Sequence, residues 1–331
     1  MDSPATDHTP YYRLDPDTVL QSIDSVGLVT DGRLLALNSY ENRVYQVGIE
    51  DAEPLVAKFY RPGRWSDEQI LEEHAFSLEL AAAEIPLIAP RVFNGETLHR
   101  HQGFRFALFR RQGGHAPELE SRDTRLWLGR FIARIHAVGS SKPFRHRPAL
   151  TPERFGDQAI RTIIEGQWLP PHLETAFASL AADLMTSIRA AWSRAGAFRT
   201  IRLHGDCHPG NLLWRDGPFF VDLDDSQTGP AIQDLWMLLS GSTAEMQAQL
   251  GDISEGYRQF MRFDVRELQL IEALRTLRML HHAAWLAQRW DDPAFPIAFP
   301  WFGEPRYWES LVLGLREQLA AMQEPALELP F

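Results

Sequence analysis

Cysteine is nearly absent: Cys207 is the single one in 331 residues. One thiol closes no intrachain disulfide, and four-cysteine metal sites are excluded with it. Long apolar runs are missing as well, and none approaches the roughly 18–20 residues that span a bilayer. The opening MDSPATDH has neither the cationic nor the apolar region of a secretory signal. The expectation is therefore a cytoplasmic protein with no membrane partner. Positive charge is in deficit, with 33 Lys and Arg against 44 Asp and Glu and a net charge of −11. Neutralising phosphates is what drives nucleic-acid binding, so no nucleic-acid partner is expected either. Internal repeats, heptads and low-complexity tracts are lacking, which removes solenoids and coiled coils from consideration.

What remains is a chain long enough for about two structural units, with an ordinary globular share of hydrophobic residues at 44%. Residues 1–18 are polar and contain proline, which predicts a loosely held extreme terminus. RLLALN (33–38), RVYQVGI (43–49) and PLVAKFY (54–60) read as strands, and Arg61-Pro62-Gly63 breaks the last of them. Ser66 to Gln69 forms a capping box that opens a helix, with Ile70, His74, Leu78 and Ala81 at helical spacing. APRVF (89–93) and FRFALF (104–109) read as two further strands. Beyond Gly113-Gly114 the pattern turns helical, with amphipathic stretches at 126–138 and 172–195. IRLHGDCHPGNLLW (201–214) reads as strand, loop, strand, and FFVDLD (219–224) returns after an Asp-Gly turn. Seven of ten tryptophans lie beyond position 190, placing the larger core in the C-terminal part. The fold class expected is α+β and bilobal. A β-rich lobe spans 1–112 and a mainly helical lobe spans 113–331, with a hinge near 110–114 and the ligand in the cleft between lobes.

HGDCHPGN (204–211) followed by VDLDD (221–225) is the densest chemical signal. Asn211 and Asp222 bring oxygen donors that suit a hard cation such as Mg²⁺. Asp206 sits beside them, free to orient a hydroxyl. Phosphoryl transfer needs that division of labour, and His204, Asp206 and Asn211 keep the H-x-D-x-x-x-x-N spacing of kinase catalytic loops. Lys58, inside an apolar strand, is costly unless its ammonium is paired. In that template it meets nucleotide phosphates and a helix glutamate, for which Glu73 is in better register than Glu72. Taken singly, the loop motif could be a set of capping residues and Lys58 an edge-strand lysine. His204 and His208 around Cys207 invite a zinc reading, but no second ligand pair matches it. His204 reads better as a buried brace, Cys207 as packing and Asp234 as structural. His281, His282, Trp285 and Trp290 read as core and helix surface.

These residues resemble a family. LNSYENRVYQ (37–46), VAKFYRPGRW (56–65), QILEEH (69–74), LHGDCHPGN (203–211), DGPFFVDLDD (216–225), GPAIQDLWMLL (229–239) and DPAFPIAFPW (292–301) are similar to the stress response kinase A family. That family lies within the aminoglycoside phosphotransferase/choline kinase branch of kinase-like proteins. The resemblance implies a protein-kinase-like fold and an ATP- and Mg-dependent serine/threonine protein kinase. It also implies a cytoplasmic monomer in a bacterial oxidative or envelope stress response, acting on a protein Ser/Thr acceptor. By position, it implies Asp206 as catalytic base and Asn211 and Asp222 as Mg²⁺ ligands, with Asp222 also an active-site residue. Ser39 and Lys58 would contact ATP phosphates, with Glu73 paired to Lys58.

The sequence departs from ordinary protein kinases in three places. Asn38 to Asn42 replaces a glycine-rich loop, Asp222-Leu223-Asp224 replaces DFG, and no activation segment separates Asp222 from the helix near Asp234. The alternative reading is a small-molecule phosphotransferase acting on an amino alcohol, a sugar or an aminoglycoside-type substrate. A non-catalytic nucleotide-binding scaffold conflicts with Lys58, Asp206, Asn211 and Asp222 occurring together. An acidic acceptor pocket would favour a cationic alcohol. A strongly acidic substrate would need a locally basic site to overcome the net charge.

Overall fold

The computed structural model describes residues 11–329. Along the chain run α1 (Pro16–Asp24), β1 (Thr30–Leu37), β2 (Arg43–Ile49), β3 (Ala52–Phe59), α2 (Asp67–Ala82), β4 (His99–His101) and β5 (Phe104–Arg110). Then come α3 (Arg122–Gly139), a π-helix at Glu153–Asp157, α4 (Gln158–Glu165), α5 (Pro171–Ala195), β6 (Thr200–Leu203), β7 (Leu212–Trp214), β8 (Pro218–Phe220) and β9 (Gln227–Pro230). The remainder is helical: α6 (Gln233–Trp236), α7 (Thr243–Tyr257), α8 (Ile271–Arg289), α9 (Ala294–Ala298) and α10 (Pro305–Ala321), with a 3₁₀ turn at Val265–Leu270. The chain divides into two compact units. One holds residues 1–117, 145–147 and 210–224; the other holds 118–144, 148–209 and 225–331.

The first unit is built on an antiparallel sheet of order β1-β2-β3-β5-β4. Val47, Leu55, Ala57, Phe59, Phe106 and Leu108 bury one face against Val19 and Ile23 of α1. Helix α1 starts where the Asp15 side chain accepts the Thr18 N–H at 2.7 Å and Pro16 sets the first turn. The capping box of α2 is present on both sides, with Gln69 N donating to Ser66 Oγ (3.3 Å) and Ser66 N to Gln69 Oε1 (2.9 Å). The hairpin β7–β8 joins this unit through Phe220, which exchanges backbone hydrogen bonds with Pro86 and Ile88, and through Trp214, which does so with His115.

One sequence reading is corrected here. The stretch 89–93 is no strand: it makes isolated bridges at Pro90 and Phe93, and β4 takes the edge beside β5. Prolines at 86 and 90 cannot donate to a ladder. The extreme terminus, expected to be loosely held, lies outside the described residues, which begin at residue 11. Tyr11 is buried, and its hydroxyl donates to the Phe59 and Glu41 carbonyls. Residues 1–10, including the opening read as lacking a signal, lie outside the described residues.

In the second unit, Phe177, Leu184 and Ile188 of α5 pack with Leu277, Leu280 and Ala284 of α8 and with Trp308 and Leu315 of α10. Helices α3 and α7 meet at glycines. A Cβ on Gly129 would strike the Ile253 carbonyl, and one on Gly256 the Leu126 carbonyl. The short pair β6–β9 carries the loop that begins at His204. Among the described residues no helix is long and apolar enough to cross a membrane.

Candidate active site

Within the first unit, β3 buries Lys58 between its neighbours Val44 on β2 and Ala107 on β5. A buried ammonium needs carboxylates. Asp222 Oδ1 lies at 2.7 Å and Asp224 Oδ1 at 3.4 Å. Burial alone would depress the Lys58 pKa, but the charges of Asp222, Asp224 and Glu73 raise it above its ordinary value. Sequence reasoning ran the strand through to residue 224. Instead β8 stops at Phe220, and Asp222 has a φ of +59°, a left-handed conformation that cannot continue a strand. Its carboxylate is half-exposed, while Asp224, two residues on in a 3₁₀ turn, is buried.

Asp224 is the hub that sequence reasoning missed. Asn42 Nδ2 donates to its Oδ2 at 3.1 Å, Arg64 makes a close ion pair with it, and Arg147 donates to its carbonyl. Burial would raise its pKa, yet Lys58, Arg64 and Arg147 hold it well below the carboxylate range. The second aspartate of VDLDD was the available signal, together with the arginines of RPGR. The same cations organise the turn between β1 and β2. Glu41 pairs with Arg61 at 3.1 Å and with Arg64 at 3.7 Å, and Asn42 Oδ1 accepts the Arg61 N–H at 3.1 Å. Ion pairs and one amide thus shape a turn that lacks glycine, and half-buried Ser39 sits within it.

On α2, Glu72 and Glu73 divide their roles. Glu72 accepts the backbone N–H groups of Arg145, His146 and Arg147, tying that segment to the helix. Glu73 is buried and accepts from Ser77 Oγ at 3.0 Å, and burial pushes its pKa up to about 7 against the charges of Lys58 and Arg147. The structure differs from the expected contact. Among the described residues the ion pairs of Lys58 are with Asp222 and Asp224, and Glu73 acts on it through the field at longer range. The two aspartates have taken the position a helix glutamate was expected to fill. His74, beside Glu73, bridges Tyr60 Oη (2.7 Å) and Thr97 Oγ1 (2.8 Å), and burial pushes its pKa down to about 3.

Asn211 ends a 3₁₀ turn at Pro209–Asn211, and its carbonyl accepts the Val221 N–H at 3.1 Å. That bond sets Asn211 beside the residue preceding Asp222. An amide oxygen and a half-exposed carboxylate are hard donors, too few for a closed cage. They fit a Mg²⁺ that keeps phosphate and water ligands. Among the described residues no cluster of three His, Cys, Asp or Glu could hold a metal, so the zinc reading finds no support there.

Asp206 belongs to the second unit. The loop carrying it is braced by Asp234, whose two carboxylate oxygens accept the His204 and Gly205 N–H groups, each at 2.8 Å. His136 Nε2 lies 3.0 Å from the same carboxylate, and Gln233 Nε2 donates to the Gly205 carbonyl at 3.0 Å. Gly205 has a φ of +87°, and a Cβ there would strike the Asp225 carbonyl, so only glycine passes. His204 and Cys207 are buried, and burial pushes the Cys207 thiol up, away from reactive thiolate character. Asp206 itself is ion-paired with Arg278 of α8, and His208 Nε2 lies 3.3 Å from its Oδ2. Burial would raise its pKa, but the His208 hydrogen bond and the Arg278 charge hold it well below the carboxylate range. Arg278 was not foreseen; it lies far along the chain in a helix read as core and surface.

A paired lysine and aspartates, a braced H-x-D-x-x-x-x-N loop and a β-rich sheet followed by helices define a kinase-like phosphotransferase. The chain belongs to the phosphotransferase enzyme family (APH), whose model matches residues 33–271, and within it to the stress response kinase A group. It is 46% identical over 319 residues to stress response kinase A of Escherichia coli O157:H7, covering 96% of this chain and 97% of that protein. It is 44% identical, with the same coverage, to serine/threonine protein kinase RdoA of Salmonella typhimurium strain LT2. Among solved structures, amicoumacin kinase hAmiN in complex with AMP-PNP, Ca²⁺ and Ami is similar with a TM-score of 0.71. The match has 16% identity and covers 96% of each chain. That likeness shares the fold.

Proposed function

We propose that the chain is an ATP- and Mg-dependent serine/threonine protein kinase, acting as a cytoplasmic monomer in a bacterial stress response. The observation that carries the phosphoryl-transfer reading is Lys58, buried on β3 and held on Asp222 and Asp224. The protein-acceptor reading is supported by the 44% identity to a relative named serine/threonine protein kinase. In this reading residues 1–112 bind nucleotide, 113–331 supply catalytic and substrate residues, and 210–224 contribute the metal donors.

Lys58 would contact the nucleotide phosphates, and Ser39 in the β1–β2 turn would contact them as well. Glu73 keeps the field around Lys58 negative. Asn211 and Asp222 would hold Mg²⁺, which would supply the positive charge that neutralises charge developing on the phosphates. Asp206 orients the acceptor hydroxyl and takes its proton as the oxygen–phosphorus bond forms and the bond from the γ-phosphorus to the β-bridging oxygen breaks. ADP leaves, and no covalent enzyme intermediate forms. A weakly basic carboxylate suffices, because a loose transition state develops acidity in the hydroxyl late.

The test follows label from γ-labelled ATP into generic proteins and a panel of small alcohols. Transfer to protein Ser/Thr is expected in the wild type and is expected to fall by about 10³-fold or more in Asp206→Ala, with nucleotide binding kept. Asp222→Ala should weaken nucleotide binding only when Mg²⁺ is present. Label confined to small alcohols would move the chain to small-molecule phosphotransferases. Near-normal turnover in Asp206→Ala would remove its assigned role.

A further inference from the structure

Asp206 has a guanidinium on its flank. Arg278 of α8 forms an ion pair with Asp206 Oδ1, yet its side chain remains 44% exposed. His208 approaches the other carboxylate oxygen at 3.3 Å. One helical turn beyond Arg278 on the same face is exposed His282, with the Trp285 ring 5.6 Å from its own. The His281 ring lies tilted against that of Phe155 of the π-helix, with centroids 4.2 Å apart. A hydroxyl reaching Asp206 therefore arrives beside the Arg278 guanidinium.

A cationic alcohol would have to displace a like charge to reach the carboxylate, and such repulsion is how sites reject a ligand class. An acceptor carrying its own carboxylate gains a bidentate partner in Arg278 while releasing Asp206 toward the hydroxyl. We propose that Arg278 is a specificity-determining residue that selects serine or threonine flanked by acidic residues in a protein acceptor. This rests on Asp206 being the residue that addresses the hydroxyl. It also explains how a chain of net charge −11 can accept an acidic partner: attraction is supplied locally.

The test uses the full chain with Mg-ATP and two matched serine peptides, one flanked by glutamates and one by lysines. Wild type should favour the acidic peptide by about tenfold in kcat/KM, the scale of one charge-assisted hydrogen bond, mainly through KM. Arg278→Lys should keep the preference, Arg278→Gln lose it and Arg278→Glu reverse it. A merely structural role would lower both peptides alike. Should Arg278→Glu fail to fold, the Gln and Lys variants decide. Equal use of both peptides by wild type, or an unchanged preference in Arg278→Gln, overturns the proposal. If neither peptide takes label while small alcohols do, the protein-kinase reading fails, and a hydroxy acid against an amino alcohol then reads the charge preference. Preference for the amino alcohol overturns Arg278 selection. If nothing takes label, melting-temperature shifts with the two peptides decide, and equal shifts overturn it.

Discussion

Asp234 shows how much one buried carboxylate can fix. It accepts two successive N–H groups of the loop that carries Asp206, so the loop backbone has a single satisfied arrangement. Asp234→Asn keeps the shape but offers one good acceptor in place of two. It should cost about 1–3 kcal/mol in chemical denaturation and lower kcat more than it raises KM for nucleotide. An unchanged kcat with normal stability would show that the loop holds itself. Asp234 was legible in sequence as structural, from its place in an apolar helix start. Lys58 stands out in the sequence as a cation inside an apolar strand and Asp222 as an acid after the H-x-D-x-x-x-x-N loop, and the structure pairs the two. Asp224 and Arg278 were not legible, because a hub and a long-range ion pair exist only once distant segments meet.

At the level of elements, the antiparallel sheet was the most readable part. RVYQVGI matches β2 from Arg43 to Ile49, since β-branched and aromatic residues and clear turn signals bound it. Strand β9, Gln227–Pro230, carries no local signal, since Gly229 and Pro230 are residue types depleted in strands. It forms because β6 offers it a ladder, a long-range fact. The contact of α3 with α7 was also silent, as it is carried by what Gly129 and Gly256 lack. Gly129→Ala would push its methyl into the Ile253 carbonyl and should cost about 2–3 kcal/mol. Gly113→Ala, which meets nothing within 4 Å, should stay within about 0.5 kcal/mol. Comparable urea midpoints for the two variants would contradict the tight helix crossing.

For the molecule as a whole, buried carboxylates set opposing pH dependences. Glu267, buried and accepting the Ile232 N–H at 2.9 Å, has its pKa pushed by burial from 4.5 to about 7. The folded state then holds a proton that the unfolded chain releases, so stability falls as pH rises from 4.5 to 7. The full separation corresponds to about 3 kcal/mol. Glu267→Gln keeps an acceptor without titrating, so denaturation of this variant between pH 5 and 7 should show a flatter decline than wild type. Parallel slopes would mean that Glu267 is ionised throughout. Asp224 works in the opposite sense, since its depressed pKa contributes stability that is lost as acid protonates it.

The make-up of the first unit adds a constraint in time. Its residues 1–117 are complete only when 210–224 arrive with Asp222 and Asp224. On the ribosome, synthesis at about 5–20 residues per second leaves a delay of roughly 5–20 s between the two segments. Throughout it Lys58 lacks Asp222 and Asp224, the two carboxylates it pairs with, and burying its ammonium is costlier without them. The ion pairs that join the sheet to residues 210–224 thus favour completion of this unit after that segment has been translated.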